Sequence, residues 1–305
     1  MKKHKISWLN VPGYIPQTWN PVVGCSKISE GCRNCYAERM ANRLAAMGTE
    51  GYDSEAVLGG QWTGQTVLVK SALQKPLHWK KPRAIFVNSM GDLFHENIDP
   101  MHVARVFAVI EQCPQHLFII LTKRAERMAR MMRPENWLRP ESIPFKNVWL
   151  GVTAENQSAA DDRIPHLLRT PAAVRFVSCE PLLGEIEAHI PQGCRSCNHP
   201  GNVSLRDTCT RCGGSGREPS VDWMIVGGES GPGARPMNPE WARSLRDQAQ
   251  EAGVPFFFKQ WGDNIVPSAY ESFPLQNASI QGKHGGDFID GRQWHEWPEK
   301  KGGEK

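Results

Sequence analysis

Three cysteines near the start of the chain have a spacing that suits metal binding. Cys25, Cys32 and Cys35 form the pattern Cys-x6-Cys-x2-Cys, and a helix-like segment begins directly after them at Tyr36. Three thiolates on one loop can bind a metal centre from a single side. Structural zinc is normally held by four ligands, whereas an iron–sulfur cluster held by three cysteines leaves one iron open. The pattern therefore predicts an iron–sulfur cluster, with zinc completed by a distant fourth ligand as the alternative.

Four more cysteines form two Cys-x2-Cys pairs later in the chain. Cys194, Cys197, Cys209 and Cys212 supply the four thiolates of a tetrahedral zinc site, and nearby glycines free the backbone to turn around a metal. The spacing predicts a structural zinc ribbon (Zn2+), with a second iron–sulfur cluster as the alternative. Arginines beside the pairs could contact nucleic-acid phosphate, although a ribbon that only stabilises an insertion fits equally well.

The composition is that of a soluble globular protein, with 40% hydrophobic and 22% charged residues. No apolar run approaches the length of a membrane span, and the first residues lack the apolar block of a secretory signal. We therefore expect a cytoplasmic protein in a reducing compartment, where clustered cysteines bind metals more often than they form disulfides. The net charge of +4 permits a nucleic-acid partner without requiring one.

Six short apolar runs that favour β-strands recur along the chain. They begin at positions 84, 117, 148, 174, 223 and 255. Most are separated by segments of helical periodicity, such as residues 100–113 and 238–253. Strands and helices that alternate every roughly 30 residues indicate βαβ units and a parallel sheet. Cys113 ends one helical segment and is predicted to be an ordinary core or surface residue.

The longest interval between these strands contains the two Cys-x2-Cys pairs. Removing residues 193–216 restores the rhythm, so we predict a zinc-ribbon insertion in a barrel domain of residues 1–262, followed by a C-terminal extension at 263–305. Counting PVVG at 21–24 as the first strand gives seven strand–helix units. This number favours an α/β fold with a full or partial (β/α) barrel of the TIM type, and an open doubly wound sheet is the alternative.

Polar side chains follow several of the predicted strands. The chemistry of (β/α) barrels takes place at the carboxyl ends of their strands. Glu180 follows the fifth strand, Glu229 the sixth and Lys259 the seventh, so the three could converge on one rim and bind a polar substrate. Loops are polar in most proteins, and each residue could also be an ordinary turn residue.

Eight motifs in a fixed order resemble a family of proteins. They are TWNPVVGCSKISEGCRNCYAERMA, GDLFH, LTKR, GVTAENQ, SCEPLLG, VGGESG, FKQWG and DGRQWHEWP, from about residue 18 to 298. Together they resemble the phage-associated three-Cys-motif family of unknown function. The cysteine loop followed by a helix also resembles the radical S-adenosylmethionine superfamily, and spore photoproduct lyase in particular. That superfamily has the spacing Cys-x3-Cys-x2-Cys, whereas the first gap here is six residues.

The resemblance implies a radical enzyme built on a (β/α) barrel. In that superfamily three cysteines hold a 4Fe-4S cluster whose open iron binds S-adenosylmethionine. An electron from a donor such as flavodoxin or ferredoxin then releases a 5′-deoxyadenosyl radical, which abstracts hydrogen from the substrate. By this resemblance Cys25, Cys32 and Cys35 are the cluster ligands. The implied cofactor-binding residues are Ser89, Met90, Gly91, Asp92, Lys123, Thr153, Glu155 and Asn156.

Each implied cofactor contact has an ordinary alternative. The turn 89–92 would hold the methionine ammonium group, but it could be a strand-to-helix turn with a favourable negative charge near the helix start. Lys123 would pair with the methionine carboxylate, but it could face solvent. Thr153, Glu155 and Asn156 would bind ribose hydroxyls, but Thr153 could simply cap a helix.

The substrate and the reaction are the least constrained features. By the same resemblance Cys179 could return a hydrogen atom to a product radical, although a buried structural cysteine is the common case. Eleven tryptophans, several beside Lys or Arg, could stack on bases or could pack a barrel. The leading hypothesis is a radical enzyme that modifies, rearranges or repairs a nucleobase in DNA or RNA. The alternative is a non-catalytic zinc protein that binds nucleic acid, and a metal-dependent hydrolase is disfavoured because no His-rich ligand pattern occurs.

Overall fold

The computed structural model describes residues 5–137, 139–188, 190, 220–266 and 283–299. Both Cys-x2-Cys pairs, and therefore the predicted zinc ribbon, fall within residues 191–219 and lie outside the described residues.

Seven parallel strands form one sheet, and they are neighbours in the order in which they occur along the chain. They are β1 (Ile15–Trp19), β2 (Arg83–Val87), β3 (Leu117–Thr122), β4 (Val148–Thr153), β5 (Val174–Cys179), β6 (Trp223–Gly227) and β7 (Phe256–Gln260). The order never reverses, so the doubly wound alternative is wrong, since that topology has a reversal point. The sheet is a half-barrel, and the partial form of the predicted (β/α) architecture is confirmed.

The first strand lies earlier in the chain than predicted. Ile15–Trp19 pairs with β2, whereas Val22–Val23, the centre of the predicted first strand, pairs antiparallel with Val67–Leu68. The segment IPQTW contains a proline and two polar residues, which an edge strand tolerates but a central strand does not. It therefore lacks the continuous apolar run on which the prediction depended.

Six α-helices occur in the described residues. They are α1 (Tyr36–Ala46), α2 (Lys70–Leu73), α3 (Pro100–Glu111), α4 (Ala125–Met131), α5 (Gln157–Arg169) and α6 (Pro239–Glu251). Asp99, Asn156 and Asn238 cap α3, α5 and α6 by accepting a backbone N–H of the first turn. The helices predicted over 100–113 and 238–253 are thus confirmed, and Cys113 is fully buried. None of the described helices is long and apolar enough to cross a membrane.

In the part of the chain that the structure describes, two further pairs of short antiparallel strands occur outside the main sheet. They are Val57–Leu58 with Gln61–Trp62, and Phe288–Ile289 with Arg292–Gln293. The second pair belongs to the predicted C-terminal extension. Ile289 in this pair is fully buried in the main core, so the described part of the extension packs with the barrel.

The sheet has an apolar core on each face, because successive side chains of a strand point to opposite sides. The outer face packs under the helices. The concave inner face is filled by aromatic side chains and closed by the N-terminal segment, where Trp8 contacts Phe86 and Trp223 with ring centroids 5.0 and 6.2 Å apart. Trp297 Nε1 donates to the Trp8 carbonyl oxygen at 2.8 Å, so residues near both ends of the chain meet on this face.

Candidate functional site

The three predicted metal-binding cysteines lie on one loop at the carboxyl ends of the strands. Residues 25–35, here called the three-Cys loop, contain the short 3-10 helix Glu30–Cys32 and end with Cys35 as the N-cap of α1. All three cysteines line a cavity of about 260 Å³, together with residues at or directly after the carboxyl ends of β2 to β7. The fold therefore brings the three thiols and the polar strand ends to one place, as the barrel hypothesis predicts.

Burial dominates the chemistry of Cys25 and Cys35. Burial and the Asp92 carboxylate raise the pKa of Cys25 to about 12, although Arg124 opposes them. The Nη1 atom of Arg124 lies 3.5 Å from Cys25 Sγ. Burial also raises the pKa of Cys35, and the negative charge of Cys32 contributes to that rise. Neither thiol is therefore a ready thiolate unless a cation binds to it.

Cys32 differs from the other two cysteines. Burial alone would raise its pKa, but a backbone hydrogen bond at Ile28 and the ammonium group of Lys123 lower the pKa below its ordinary value. The Cys35 thiolate would in turn raise the pKa of Cys25, so the three sulfur groups interact electrostatically. Among the described residues, no group of three or more His, Cys, Asp or Glu side chains is arranged to hold a metal ion.

Arg124, which follows β3, anchors the beginning of the three-Cys loop. Its Nη2 atom donates to the Ser26 carbonyl oxygen at 3.0 Å and to the Ser26 hydroxyl at 2.8 Å. The same guanidinium pairs with Asp92 at 3.3 Å and with Glu96 at 3.1 Å. A planar guanidinium holds several donors at fixed angles, so this one side chain ties the loop to the segment after β2.

Ser26, His95 and Glu96 also meet here, but not as a nucleophile and its base. Ser26 Oγ lies 2.8 Å from His95 Nε2 and 3.0 Å from Glu96. Burial lowers the pKa of His95, so the ring is neutral. Its Nδ1 accepts the backbone N–H of Asn97, so the ring proton is on Nε2 and is donated to Ser26. The imidazole cannot deprotonate the serine in this arrangement.

Glu155, which follows β4, anchors the middle of the loop. The residue is fully buried, and its Oε2 accepts hydrogen bonds from Lys123 at 3.1 Å and from Arg163 at 2.8 Å. Burial would raise its pKa, but the two cations lower the pKa to about 2. A Cβ atom on Gly31 would lie 3.1 Å from Lys123 Nζ and 3.2 Å from Glu155 Cδ. The loop therefore packs directly on this ion pair.

Glu229, which follows β6, anchors the end of the loop. Its carboxylate accepts hydrogen bonds from the Arg235 guanidinium at 2.6 and 2.9 Å and from Asn34 Nδ2 at 2.9 Å. Arg235 also donates to the Glu30 carbonyl oxygen at 3.0 Å. These hydrogen bonds lower the pKa of Glu229, although its burial acts in the opposite direction. Asn34 lies between Cys32 and Cys35 in the sequence, so this contact sets the path of the loop between two of the thiols.

The predicted cofactor turn contacts the loop mainly through its backbone. Gly91 forms a parallel bridge with Gly24, and the Tyr36 hydroxyl donates to the Ser89 carbonyl oxygen at 2.8 Å. The Met90 side chain is buried in the core beneath α1. Ser89 and Gly91 line the cavity.

At this turn the Asp92 carboxylate is hydrogen-bonded, whereas the side-chain Nδ2 atom of Asn88 is not. Asp92 is buried and accepts hydrogen bonds from Thr122 Oγ1 at 2.6 Å and from the Lys123 backbone N–H at 3.1 Å, besides its pair with Arg124. Asn88 also lines the cavity and is buried, but its Nδ2 has no partner among the described residues. The cavity therefore contains a donor without an acceptor, a group the sequence analysis did not assign to cofactor binding.

The segment after β4 divides into structural and cavity-facing residues. Asn156, rather than Thr153, caps α5, because its Oδ1 accepts the backbone N–H of Ala159 at 2.9 Å. The Thr153 carbonyl accepts from Arg163 at 2.8 Å, and Thr153 itself lines the cavity. Of the three residues implied to bind ribose, only Thr153 is both at the cavity and not part of an ion pair or cap.

Glu180 and Lys259 face the cavity as a pair. Lys259 Nζ lies 2.8 Å from Glu180 Oε1, and the Ser178 hydroxyl donates to Glu180 Oε2 at 3.1 Å. Ser178, Glu180 and Lys259 all line the cavity. Cys179 does not, because strand alternation points its side chain into the outer core, where it is fully buried and burial raises its pKa strongly.

Several residues that shape the site were not predicted from the sequence. They are Asn34, Arg124, Arg163 and Arg235. One of them carries a sequence signal, because Arg163 lies on the buried stripe of α5 with Ala160, Ile164 and Leu167, and a charge on an apolar stripe implies a buried partner. The others lie in loops, where spacing alone does not indicate a partner.

Comparison with known proteins identifies a family but no activity. The family model described as "Protein of unknown function (DUF5131)" matches residues 4–298. No curated protein and no solved structure shows a significant match to the chain. Its function must therefore be inferred from the site.

Proposed function

The chain belongs to this family of unknown function, and we propose that it is a radical S-adenosylmethionine enzyme that modifies, rearranges or repairs a nucleobase in DNA or RNA. One observation carries the proposal. Three cysteines on a single loop line a cavity at the carboxyl ends of a parallel half-barrel. In (β/α) enzymes this end of the sheet is where catalysis takes place.

The three thiols are the type of donor that a 4Fe-4S cluster needs, and because each cysteine binds a separate iron they need not converge on one metal ion. Cys25, Cys32 and Cys35 would be its ligands, since iron–sulfur clusters are held by cysteine thiolates. Lys123 and Arg124 flank the thiols and would offset the negative charge of the bound thiolates. When bound, the cluster would supply the electron that cleaves S-adenosylmethionine.

Two residues of the cavity would bind S-adenosylmethionine. Asn88 Nδ2 is buried and unpartnered among the described residues, so it would donate to an acceptor of the cofactor, such as its carboxylate. Thr153 is on the wall formed by the next strands. Asp92 is already engaged by a cation and donors, and Glu155 is engaged through Oε2 and does not line the cavity, so both would position Lys123, Arg124 and the three-Cys loop instead of touching the cofactor.

Glu180 and Lys259 would contact the substrate. A carboxylate and an ammonium group 2.8 Å apart present an acceptor beside a donor. The hydrogen-bonding edges of nucleobases combine the complementary groups in the same way. Their partial exposure leaves both side chains able to exchange their mutual contact for contacts with a base.

The direct test is anaerobic reconstitution with iron and sulfide, followed by incubation of the reduced protein with S-adenosylmethionine. We expect a brown protein with about four irons at the three-Cys loop and the formation of 5′-deoxyadenosine. The Cys32→Ala variant should lose both. Zinc analysis of the same sample tests the predicted ribbon at the Cys-x2-Cys pairs.

A protein without iron would support the alternative function, a non-catalytic zinc protein that binds nucleic acid. A colourless protein that contains zinc, takes up no iron and forms no 5′-deoxyadenosine would be the non-catalytic nucleic-acid-binding protein. In that case the Cys32→Ala variant would lower the zinc content instead of the iron content.

A further inference from the structure

Large exposed apolar side chains are concentrated around the three-Cys loop. The described residues include seven of them, and five lie between positions 28 and 58. Ile28, Tyr36, Met40 and Met47 belong to the loop and to one face of α1, at spacings that a helix brings together. Soluble proteins rarely gather exposed apolar side chains in one place without a binding role.

The same face is basic. Arg33, Arg39 and Arg43 are exposed on it, and Arg39 and Arg43 are one helical turn, or about 6 Å, apart. Neither Arg33 nor Arg43 has a carboxylate partner among the residues that the structure describes. Glu38 of α1 is buried on the other side and pairs with Lys27 at 2.7 Å. We call the exposed face formed by residues 28, 33, 36, 39, 40, 43 and 47 the α1 surface.

Tyr36 connects the α1 surface to the cavity. It is 51% exposed, yet it also lines the cavity beside Cys35. Its hydroxyl is fixed by the hydrogen bond to the Ser89 carbonyl oxygen. The ring is therefore an aromatic platform that is already held in place at the cavity mouth, and little conformational entropy would be lost when a base stacks on it.

The cavity itself limits the form of the nucleic acid. Glu180 and Lys259 line the same cavity as Tyr36, and their side chains are only 14% and 25% exposed, so a base that is paired within a duplex could not reach them. Phosphates along a single strand could meet the arginines while one base turns inward. The exposed arginines lie next to Tyr36, which is 51% exposed, and Tyr36 shares its cavity with the less exposed pair of Glu180 and Lys259.

We propose that the α1 surface binds the backbone of single-stranded nucleic acid and directs one base past Tyr36 to Glu180 and Lys259. This inference rests on the proposed function, which supplies the substrate class. It adds that the nucleic acid is single-stranded and that the base enters the cavity past Tyr36. Charge complementarity indicates nucleic acid as the partner of the α1 surface. The three-Cys loop and α1 expose three arginines but only one acidic residue, Glu30, so a polyanion is attracted to them.

The test is the affinity of the protein for short fluorescein-labelled oligonucleotides of mixed sequence, measured by anisotropy over a range of salt concentrations. The R33Q/R43Q double variant removes two charges, and Arg39 is retained because it also donates to the Ser230 carbonyl oxygen at 3.3 Å. We expect at least about a tenfold loss of single-strand affinity at low salt, and a salt slope smaller by about 0.7 for each lost phosphate contact. Tyr36→Ala should weaken binding, and Tyr36→Phe should weaken it less.

The matched control is R105Q/R130Q, which removes two exposed arginines from α3 and α4 and should change affinity by less than about twofold. Equal losses in the two double variants would overturn the proposal, as would tighter binding of duplex than of single strand or no single-strand binding at low salt. Binding of an acidic electron-carrier protein to the α1 surface, with no effect of R33Q/R43Q on oligonucleotides, would also overturn it. Binding needs neither iron nor S-adenosylmethionine, so its failure is separate from failure to form 5′-deoxyadenosine.

Discussion

Asn88 occupies a position that is unfavourable in the absence of a ligand. Its backbone has φ of 55°, in the left-handed region that asparagine tolerates better than most residues. Its buried Nδ2 atom has no partner within the described part of the chain, a state that costs about 1–3 kcal/mol. An acceptor on a bound molecule would remove this penalty.

Replacing Asn88 with glycine should weaken the binding of S-adenosylmethionine. Glycine adopts positive φ without strain, and the change removes the unpartnered Nδ2 together with Oδ1, which accepts the Val22 backbone N–H at 3.3 Å. We expect an affinity about tenfold or more lower, measured by equilibrium dialysis with the reconstituted protein. Asn136→Ala, at an exposed position, is the control. Unchanged affinity in Asn88→Gly would show that Asn88 does not contact the cofactor.

Glu155 should make the stability of the protein sensitive to acid. Its pKa falls from an ordinary value of 4.5 to about 2 in the folded chain. A carboxylate with a lowered folded pKa stabilises the fold above its unfolded pKa, and that stabilisation is lost as the pH falls toward the folded pKa. We therefore expect stability to decrease between about pH 4.5 and pH 2 through this residue.

The Glu155→Gln variant isolates this contribution. It leaves Lys123 and Arg163 without their shared anion, and breaking a buried pair in this way costs about 3–5 kcal/mol. Urea unfolding at neutral pH should show the loss, and the variant should depend less on pH in the acid range. Glu126→Gln changes an exposed carboxylate, so it should neither lower the stability at neutral pH nor reduce the pH dependence. An equal pH dependence in the wild-type protein and Glu155→Gln would contradict the assignment.

The three-Cys loop is the element on which the site depends, and charged residues from three strand ends hold it. Arg124 contacts its start, the pair of Lys123 and Glu155 its middle, and Arg235 with Glu229 its end. Several residues that the sequence suggested as cofactor or substrate contacts thus also hold the three-Cys loop in place. Loop conformation is normally variable, and these anchors explain how a gap of six residues can still present three thiols to one cavity.

The Arg235→Gln variant should loosen the end of the loop. It removes charge-assisted hydrogen bonds to Glu229 and the bond to the Glu30 carbonyl, each worth about 1.5–3 kcal/mol. Cys32, now buried, should then react with iodoacetamide about tenfold faster in the metal-free protein. Mass spectrometry of the modified peptide gives the rate. Arg139→Gln is the exposed control, and equal rates in both variants would mean that Arg235 does not restrain the loop.

The positions of the strands were more predictable from the sequence than the side-chain contacts between them. The strands β2 to β7 are continuous apolar runs buried on both faces, so their starts at 83, 117, 148, 174, 223 and 256 could be located closely. The edge strand β1 lacks that pattern and was misplaced. The polar strand ends were correctly identified, but which of them pair with one another depends on distances across the sheet, as for Lys123 with Glu155, and spacing does not encode these.

At the scale of the whole molecule, the concave face of the sheet is completed by residues near the two ends of the chain. Trp8 is 2% exposed, and it packs on the inner strands while Trp297 bonds to its carbonyl oxygen. Trp8 also lines the cavity, so a residue that closes the concave face of the sheet also forms part of the cavity wall.

The Trp8→Ala variant should be destabilised by about 3–5 kcal/mol, the usual cost of truncating a buried tryptophan. Trp297→Phe retains a ring but loses the hydrogen bond to Trp8, and should cost about 1 kcal/mol. Urea unfolding monitored by circular dichroism gives both values. A Trp8→Ala variant as stable as the wild-type protein would mean that the N-terminal segment does not contribute to the inner core.

The order of the strands has a consequence for biosynthesis. Each strand of the sheet pairs with the one made just before it, so the half-barrel can grow strand by strand as the ribosome releases the chain. Trp8 is synthesised 289 residues before its partner Trp297. Nascent chains would therefore carry an incomplete inner face until Trp297 has left the ribosome, and chaperone association during synthesis should be strongest over that interval.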